Sequence, residues 1–320
     1  LELLKLLRQT PMTDPTFGGT WPFTPQYCTA AGFRQHYIDE CVHVDKGAVE
    51  QGHREALVLL HGEPTWGYLY RHFIPPLAKH YRVVVPDHMG FGLSETPMDR
   101  TYTLKTHVEN LEALIAELDL TDITLVGQDW GGPILGAYTL RNPDRVKRIC
   151  MMNTMLGYGR TGPPPLTPWF HWIGQHHEQG TLTGILGELS STVLSVMKII
   201  GFENSSAINA NWMAAYTAPF PNRNACIGAM EFPLDVHLKR IGSFVMDCLR
   251  NGDLDALKAK PAMLAFGLQD HAIDPDYAIK DFLALFPDAP VTTFPNAGHF
   301  CQEDIPESLV ALIHQFIQTH

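Results

Sequence analysis

The segment that most constrains this chain is residues 126–132, V-G-Q-D-W-G-G, set between a short apolar run at residues 123–126 and a helix-forming stretch at residues 133–140. Gly and Asp cluster in ordinary turns for conformational reasons, so the match means little alone. The order of strand, glycine-rich turn and helix is what makes it a tight elbow that lifts one side chain, Asp129, clear of the sheet end. A serine at such an elbow attacks acyl carbonyls. A carboxylate instead displaces a leaving group from a saturated carbon and forms an ester that water must cleave. The elbow therefore argues against a plain esterase or peptidase.

Three further pieces follow in a chain order that suits this chemistry. Upstream, the apolar run at residues 56–60 enters His61-Gly62-Glu63-Pro64-Thr65-Trp66, a loop able to aim the backbone N–H of Glu63 at the elbow. Together with the N–H of Trp130, the residue after Asp129, it would form an oxyanion hole. Downstream, a buried-strand pattern near residues 261–266 ends in Gly267-Leu268-Gln269-Asp270, and Asp270 there can orient a histidine; Asp274 is a spare candidate. The histidine is read as His299, in the loop after the strand candidate at residues 291–294. Nucleophile, acid and base thus appear in the order Asp129, Asp270, His299.

Strand candidates at residues 34–38, 56–60, 82–86, 123–126, 148–152, 262–266 and 291–294 alternate with helix-like stretches, one of which, at residues 104–118, puts Val108, Leu111, Leu114 and Ile115 on one face. Short runs that are apolar on both faces predict an α/β fold with a mostly parallel, doubly wound sheet. The alternation fails between about residues 155 and 231, where a Pro-rich opening leads into Trp-, His- and Gly-rich sequence. This predicts a helical cap over the carboxyl edge of the sheet, inserted after the sixth strand. The expected organisation is a core at residues 1–155, a cap at 156–231 and a second core part at 232–320.

A net charge of -11, with no basic block, disfavours a nucleic-acid or anionic-membrane partner. The expected partner is a neutral small molecule. Six cysteines without close pairing suggest reduced thiols and a cytoplasmic setting. No run reaches membrane-spanning length by inspection, and residues 1–7 are too short and too charged for a signal core. The first residue is Leu1, which leaves a removed leader open. Oligomeric state is not encoded in any visible pattern.

A soft departing anion such as a halide needs N–H donors in an apolar wall, and indoles supply them. Trp130 lies beside the nucleophile, and the cap offers Trp169 and Trp172, whose alternative role is packing. Glu63 is a carboxylate beside a presumed apolar pocket, costly unless partnered, and could hold the hydrolytic water or a neighbouring backbone group. His171, His176, His177 and Glu178 show no metal-binding spacing, so no metal site is expected.

These residues resemble the haloalkane dehalogenases of the α/β-hydrolase fold over nearly the whole chain. The resemblance rests on HGEPTWGYLYR at residues 61–71, PDHMGFGLS at 86–94, GQDWGG at 127–132, YTAPFP at 216–221 and AGHFCQE at 297–303, with Pro22-Phe23 and Tyr37-Ile38-Asp39-Glu40 adding to it. It implies that Asp129 attacks the halogen-bearing carbon and that Trp130 with a cap tryptophan holds the halide. His299, oriented by Asp270, then activates water against the ester, with no cofactor. The acid of some members follows the preceding strand, where this chain has Asn153. Glu63 replaces the halide-binding Asn of some members and matches the subgroup with two halide-binding tryptophans, in which Trp172 is the better counterpart of the second.

Two related readings stay open. Epoxide hydrolases share the Asp elbow but need cap tyrosines as acids, for which Tyr158 and Tyr216 are candidates. β-Lactone decarboxylases of olefin biosynthesis are close relatives, resembled by GFGLSETP at residues 90–97 and by residues 147–154. A non-catalytic ligand-binding protein on the same scaffold is disfavoured by the intact Asp129, Asp270 and His299 set.

Overall fold

Eight strands form one sheet in the computed structural model, which describes residues 14–41, 55–159 and 162–320. In chain order they are β1 (Gln26–Cys28), β2 (Gln35–Glu40), β3 (Ala56–Leu60), β4 (Arg82–Pro86), β5 (Ile123–Gln128), β6 (Val146–Met152), β7 (Ala262–Gln269) and β8 (Val291–Gly298). Their spatial order is β1-β2-β4-β3-β5-β6-β7-β8, with β1 and β2 antiparallel to their neighbours and the other pairings parallel. Every residue of β3 and β5 is buried, as a parallel sheet covered on both faces requires. The expected α/β architecture is the observed one. β1, half exposed and without an apolar run, had no signal in the sequence.

Helices cover the sheet where the periodicity places them. Leu104–Glu117 starts at Thr103, whose side chain accepts from the Thr106 N–H, and it buries Val108, Leu111, Leu114 and Ile115. Gly131–Arg141 begins two residues earlier than the sequence suggests, because Gly131 and Gly132 are themselves helical. A Cβ at Gly131 would meet the Leu60 carbonyl and one at Gly132 would strike Thr154 Oγ1, so the helix can lie this close to β3 and β6 only with glycine there.

Between β6 and β7 the described residues form no strand. The principal helices are Pro168–Glu178, Leu189–Ile200, Ala210–Thr217, Ile227–His237 and Ile241–Asn251, and the fourth runs through residue 231. The stretch Leu182–Ile200 corrects one expectation, since its 19 residues with mean hydropathy 1.3 do reach spanning length. It is broken into two 3-10 turns and a helix, and Leu186, Leu189, Val193, Val196 and Met197 join the core. Those buried residues account for part of its apolarity.

Candidate active site

The carboxyl ends of the parallel strands gather the functional residues, because register fixes which residues leave the sheet side by side. Gln128 pairs with Met152, so Asp129 and Asn153 emerge together. Gln269 pairs with Gly298 after a register shift, so Asp270 and His299 do the same. His61 follows the end of β3, whose Leu60 pairs with Gly127.

Asp129 has φ +51°, in the left-handed region that Asp tolerates better than most non-glycine residues. Its N–H donates to the Asn153 carbonyl at 3.2 Å, and its own carbonyl accepts from Gly132 N–H at 3.0 Å and Thr154 Oγ1 at 2.5 Å. The side chain is thereby presented at the elbow. Asp129 Oδ1 accepts the Glu63 N–H at 2.8 Å, while Oδ2 lies 3.2 Å from His299 Nε2. A Cβ at Gly62 would collide with Asp129 Oδ1, which explains glycine there. The Trp130 N–H, just ahead of the helix, has no backbone acceptor among the described residues and is free to be the second donor.

His299 is fully buried, and its Nδ1–H donates to Asp270 Oδ2 at 2.8 Å. Asp270 is itself held by N–H groups of Ala272 (2.8 Å) and Ile273 (2.9 Å) on Oδ1 and by Asn153 Nδ2 (2.9 Å) on Oδ2. Asn153 thus supports the acid; it also bonds Gly267 through both its amide atoms. Asp274 caps the helix Pro275–Leu285 by accepting from Tyr277 N–H, so the spare acid has a structural task. Burial disfavours a charged His299, but Asp270 and Asp129 outweigh it and push the imidazole up to about 10. Gln128 Nε2 donates to the His299 carbonyl at 3.0 Å and steadies the loop.

Glu63 is buried, and its Oε1 has no hydrogen-bond partner among the described residues. Burial first, then repulsion from Asp129, raise its carboxyl well above the ordinary 4.5, against a pull from His299. Trp130 stacks face to face on Phe232 at 4.3 Å, and its indole N–H has no protein acceptor among the described residues. Phe232 lies just past the expected cap boundary and escaped sequence reasoning, because a single aromatic in an apolar helix carries no distinctive signal. Trp169 and Trp172 stack on each other at 5.2 Å, and Trp172 also meets His176 at 4.4 Å. Their ring contacts do not include Trp130. His171, His176, His177 and Glu178 all lie on the helix Pro168–Glu178.

The two tyrosines of the epoxide reading are placed elsewhere. Tyr216 OH donates to Glu303 Oε1 at 2.5 Å, and Glu303 is paired with Arg71 in a buried bidentate contact. Tyr158 is buried near Gly136 of the helix that follows the elbow and near Cys248.

A carboxylate at the elbow, an acid–histidine pair facing it and a backbone donor behind it, at the carboxyl ends of a mostly parallel sheet, are the arrangement of an α/β hydrolase. The comparisons narrow this class. Residues 55–180 match the family model described as alpha/beta hydrolase fold. The chain is 35% identical to the haloalkane dehalogenase of Psychrobacter cryohalolentis, over 98% of each protein. It is 31% identical to the cis-3-alkyl-4-alkyloxetan-2-one decarboxylase of Shewanella oneidensis, over 92% of this chain and 89% of that protein. Among solved structures, the haloalkane dehalogenase DpaA of Paraglaciecola agarilytica aligns with a TM-score of 0.73 and 28% identity, over 95% of this chain and 96% of that one. This chain belongs to the haloalkane dehalogenase family.

Proposed function

We propose that this protein hydrolyses haloalkanes to an alcohol and a halide ion through an alkyl ester on Asp129. The observation that carries the reading is the placement of Asp129 between two different neighbours, the Glu63 N–H on one oxygen and His299 on the other. Oδ2 is the attacking atom: it forms a bond to the halogen-bearing carbon as the carbon–halogen bond breaks and the halide leaves with the electron pair. Oδ1 stays in the oxyanion hole as the ester carbonyl. The indole N–H of Trp130 receives the halide, and a cap tryptophan, Trp172 ahead of Trp169, completes its wall once a cap at residues 156–231 closes over the substrate.

Esterification also prepares the base. In the resting state the Asp129 charge helps to keep His299 protonated, with Nε2 3.2 Å from Oδ2 but off the hydrogen-bond axis. Neutralising Asp129 removes its share of that support, so the imidazolium releases a proton to solvent more readily and Nε2 becomes available as a base. Nε2 then takes a proton from water, which attacks Asp129 Cγ. The negative charge gathers on Oδ1, where the N–H groups of Glu63 and Trp130 stabilise it, and its collapse breaks the Cγ–Oδ2 bond, the leaving oxygen taking the proton back from His299 Nε2 so that it departs as the alcohol. Glu63, a buried carboxyl with an unpartnered oxygen, is suited to hold that water. The mechanism consumes only water, so no cofactor or metal is needed. The substrate class is small, neutral and apolar, and buried thiols such as Cys150 and Cys301 suit a cytoplasmic setting.

A second reading, decarboxylation of a β-lactone, is favoured by the likeness to the Shewanella oneidensis decarboxylase. One assay separates the two. Bromide plus alcohol from bromobutane supports dehalogenation, whereas alkene plus carbon dioxide from a β-lactone, with no bromide from the bromoalkane, supports the other. Turnover in oxygen-18 water should label Asp129; label in the alcohol with none in the protein would sink the covalent route.

A further inference from the structure

The donor that faces Asp129 belongs to the Gly62–Glu63 peptide, and the opposite end of that peptide is held unusually firmly. The Gly62 carbonyl accepts three donors: Thr65 N–H at 3.0 Å, Thr65 Oγ1–H at 3.0 Å and His61 Nδ1 at 3.0 Å. Neighbours set the tautomer of His61. Its Nε2 accepts the His88 N–H at 3.0 Å, so the proton sits on Nδ1 and donates to Gly62. His61 and Thr65 are both fully buried, and His88 Nε2 donates to the His61 carbonyl at 2.8 Å, closing the assembly.

In a trans peptide the C=O and N–H point in opposite directions, so anchoring the Gly62 oxygen aims the Glu63 hydrogen at Asp129 Oδ1. Each hydrogen bond to the carbonyl also polarises the amide and strengthens its N–H as a donor. We propose that Thr65, together with His61, is a positioning residue that orients and polarises the Glu63 N–H for the ester-hydrolysis half-reaction. The charge on Oδ1 grows only when water attacks the ester, whereas the first displacement draws charge away from Asp129. Thr65 therefore serves the second step selectively. This role rests on the proposed two-step reaction.

The test uses the full chain and bromobutane in rapid-quench single turnovers that follow bromide, alkyl-enzyme mass and alcohol separately. Thr65→Val removes the hydroxyl at nearly constant shape, and Thr65→Ser restores it. The expected result for Thr65→Val is an unchanged bromide burst, ester hydrolysis slowed by about tenfold, a fraction of what losing a whole oxyanion donor costs, and visible accumulation of the ester. Thr65→Ser should hydrolyse the ester at close to the wild-type rate. Equal slowing of both steps, or a serine variant as slow as the valine one, overturns the proposal and leaves Thr65 a packing residue. If Thr65→Val does not fold, Thr65→Ala against Thr65→Ser decides by the same criterion. Bromide release and an ester in the wild type, with no change in Thr65→Val, refute the positioning role alone. Absence of any alkyl-enzyme in wild type and in His299→Gln refutes the two-step reading and the Thr65 role with it.

Discussion

Replacing Asp270 by Asn separates orientation of the base from simple packing, and the hydrogen bonds around it dictate the outcome. Oδ1 accepts from two backbone N–H groups, those of Ala272 and Ile273, so the amide oxygen of an Asn must take that place. Its NH2 then occupies the Oδ2 position, facing His299 Nδ1 and Asn153 Nδ2, both of which donate in the native arrangement. To avoid opposing two hydrogens, His299 must turn Nδ1 into an acceptor and move its proton to Nε2. A ring protonated at Nε2 cannot take a proton from water there. The same wrong-tautomer logic in a Ser-His-Asp site costs about 10⁴ in rate, and a loss of about 10³ to 10⁴, or about 4 to 5.5 kcal/mol of barrier, is expected here for ester hydrolysis. The first displacement does not use His299 as a base and should change by less than about tenfold. Intact-protein mass spectrometry after mixing with bromobutane should show the alkyl ester persisting. Ester hydrolysis within about tenfold of wild type, with peptide mass confirming that the introduced amide has not deamidated back to the acid, would refute the tautomer argument.

Trp130→Phe keeps the stack on Phe232 at 4.3 Å but deletes the N–H, so bromide release should slow by about a hundredfold while ester hydrolysis is spared; equal slowing of both steps would remove the indole from the halide site. The raised His299 contributes stability that is complete below the ordinary 6.5, declines as pH rises past it, and is gone above about 10. Asp129→Asn lowers that upper limit, so urea midpoints of wild type and variant should follow different slopes between pH 7 and 10, and parallel slopes would contradict the assignment. Glu303→Gln breaks a buried ion pair with Arg71 and weakens the contact to Tyr216, which joins the helix Ala210–Thr217 to the residues after His299. A loss of about 3–5 kcal/mol in urea unfolding is expected, and a loss below about 1 kcal/mol would mean that the pair is not needed.

Much of the site was legible because an elbow, a strand-end acid and a Gly-His loop each carry a local signature. Asp129, Asp270 and His299 were all named from sequence, and the structure brings them into contact. The helix Leu104–Glu117 was readable from its periodicity and from the residues it buries. The supporting residues were not legible in the same way. Asn153 reads in the sequence only as the place of a missing acid, yet its amide bonds both Asp270 and Gly267 across more than a hundred residues of chain. Thr65 and Phe232 are common residues in unremarkable positions, and nothing local says that one anchors the Gly62 carbonyl or that the other backs Trp130. Trp169 and Trp172 are visible in the sequence as residue types, but their stacking on each other is a property of helix geometry.

The sequence by itself determined which side chain stands at the elbow, the chain order of Asp129, Asp270 and His299, and the α/β layering, because residue chemistry, turn glycines and apolar periodicity act over a few residues. Tertiary structure alone decided which groups meet. The pairings Gln128 with Met152 and Gln269 with Gly298 set Asp129 beside Asn153 and Asp270 beside His299. The charge state of His299 is likewise a tertiary property, since it depends on two carboxylates that approach the ring only once the sheet is assembled and water is excluded.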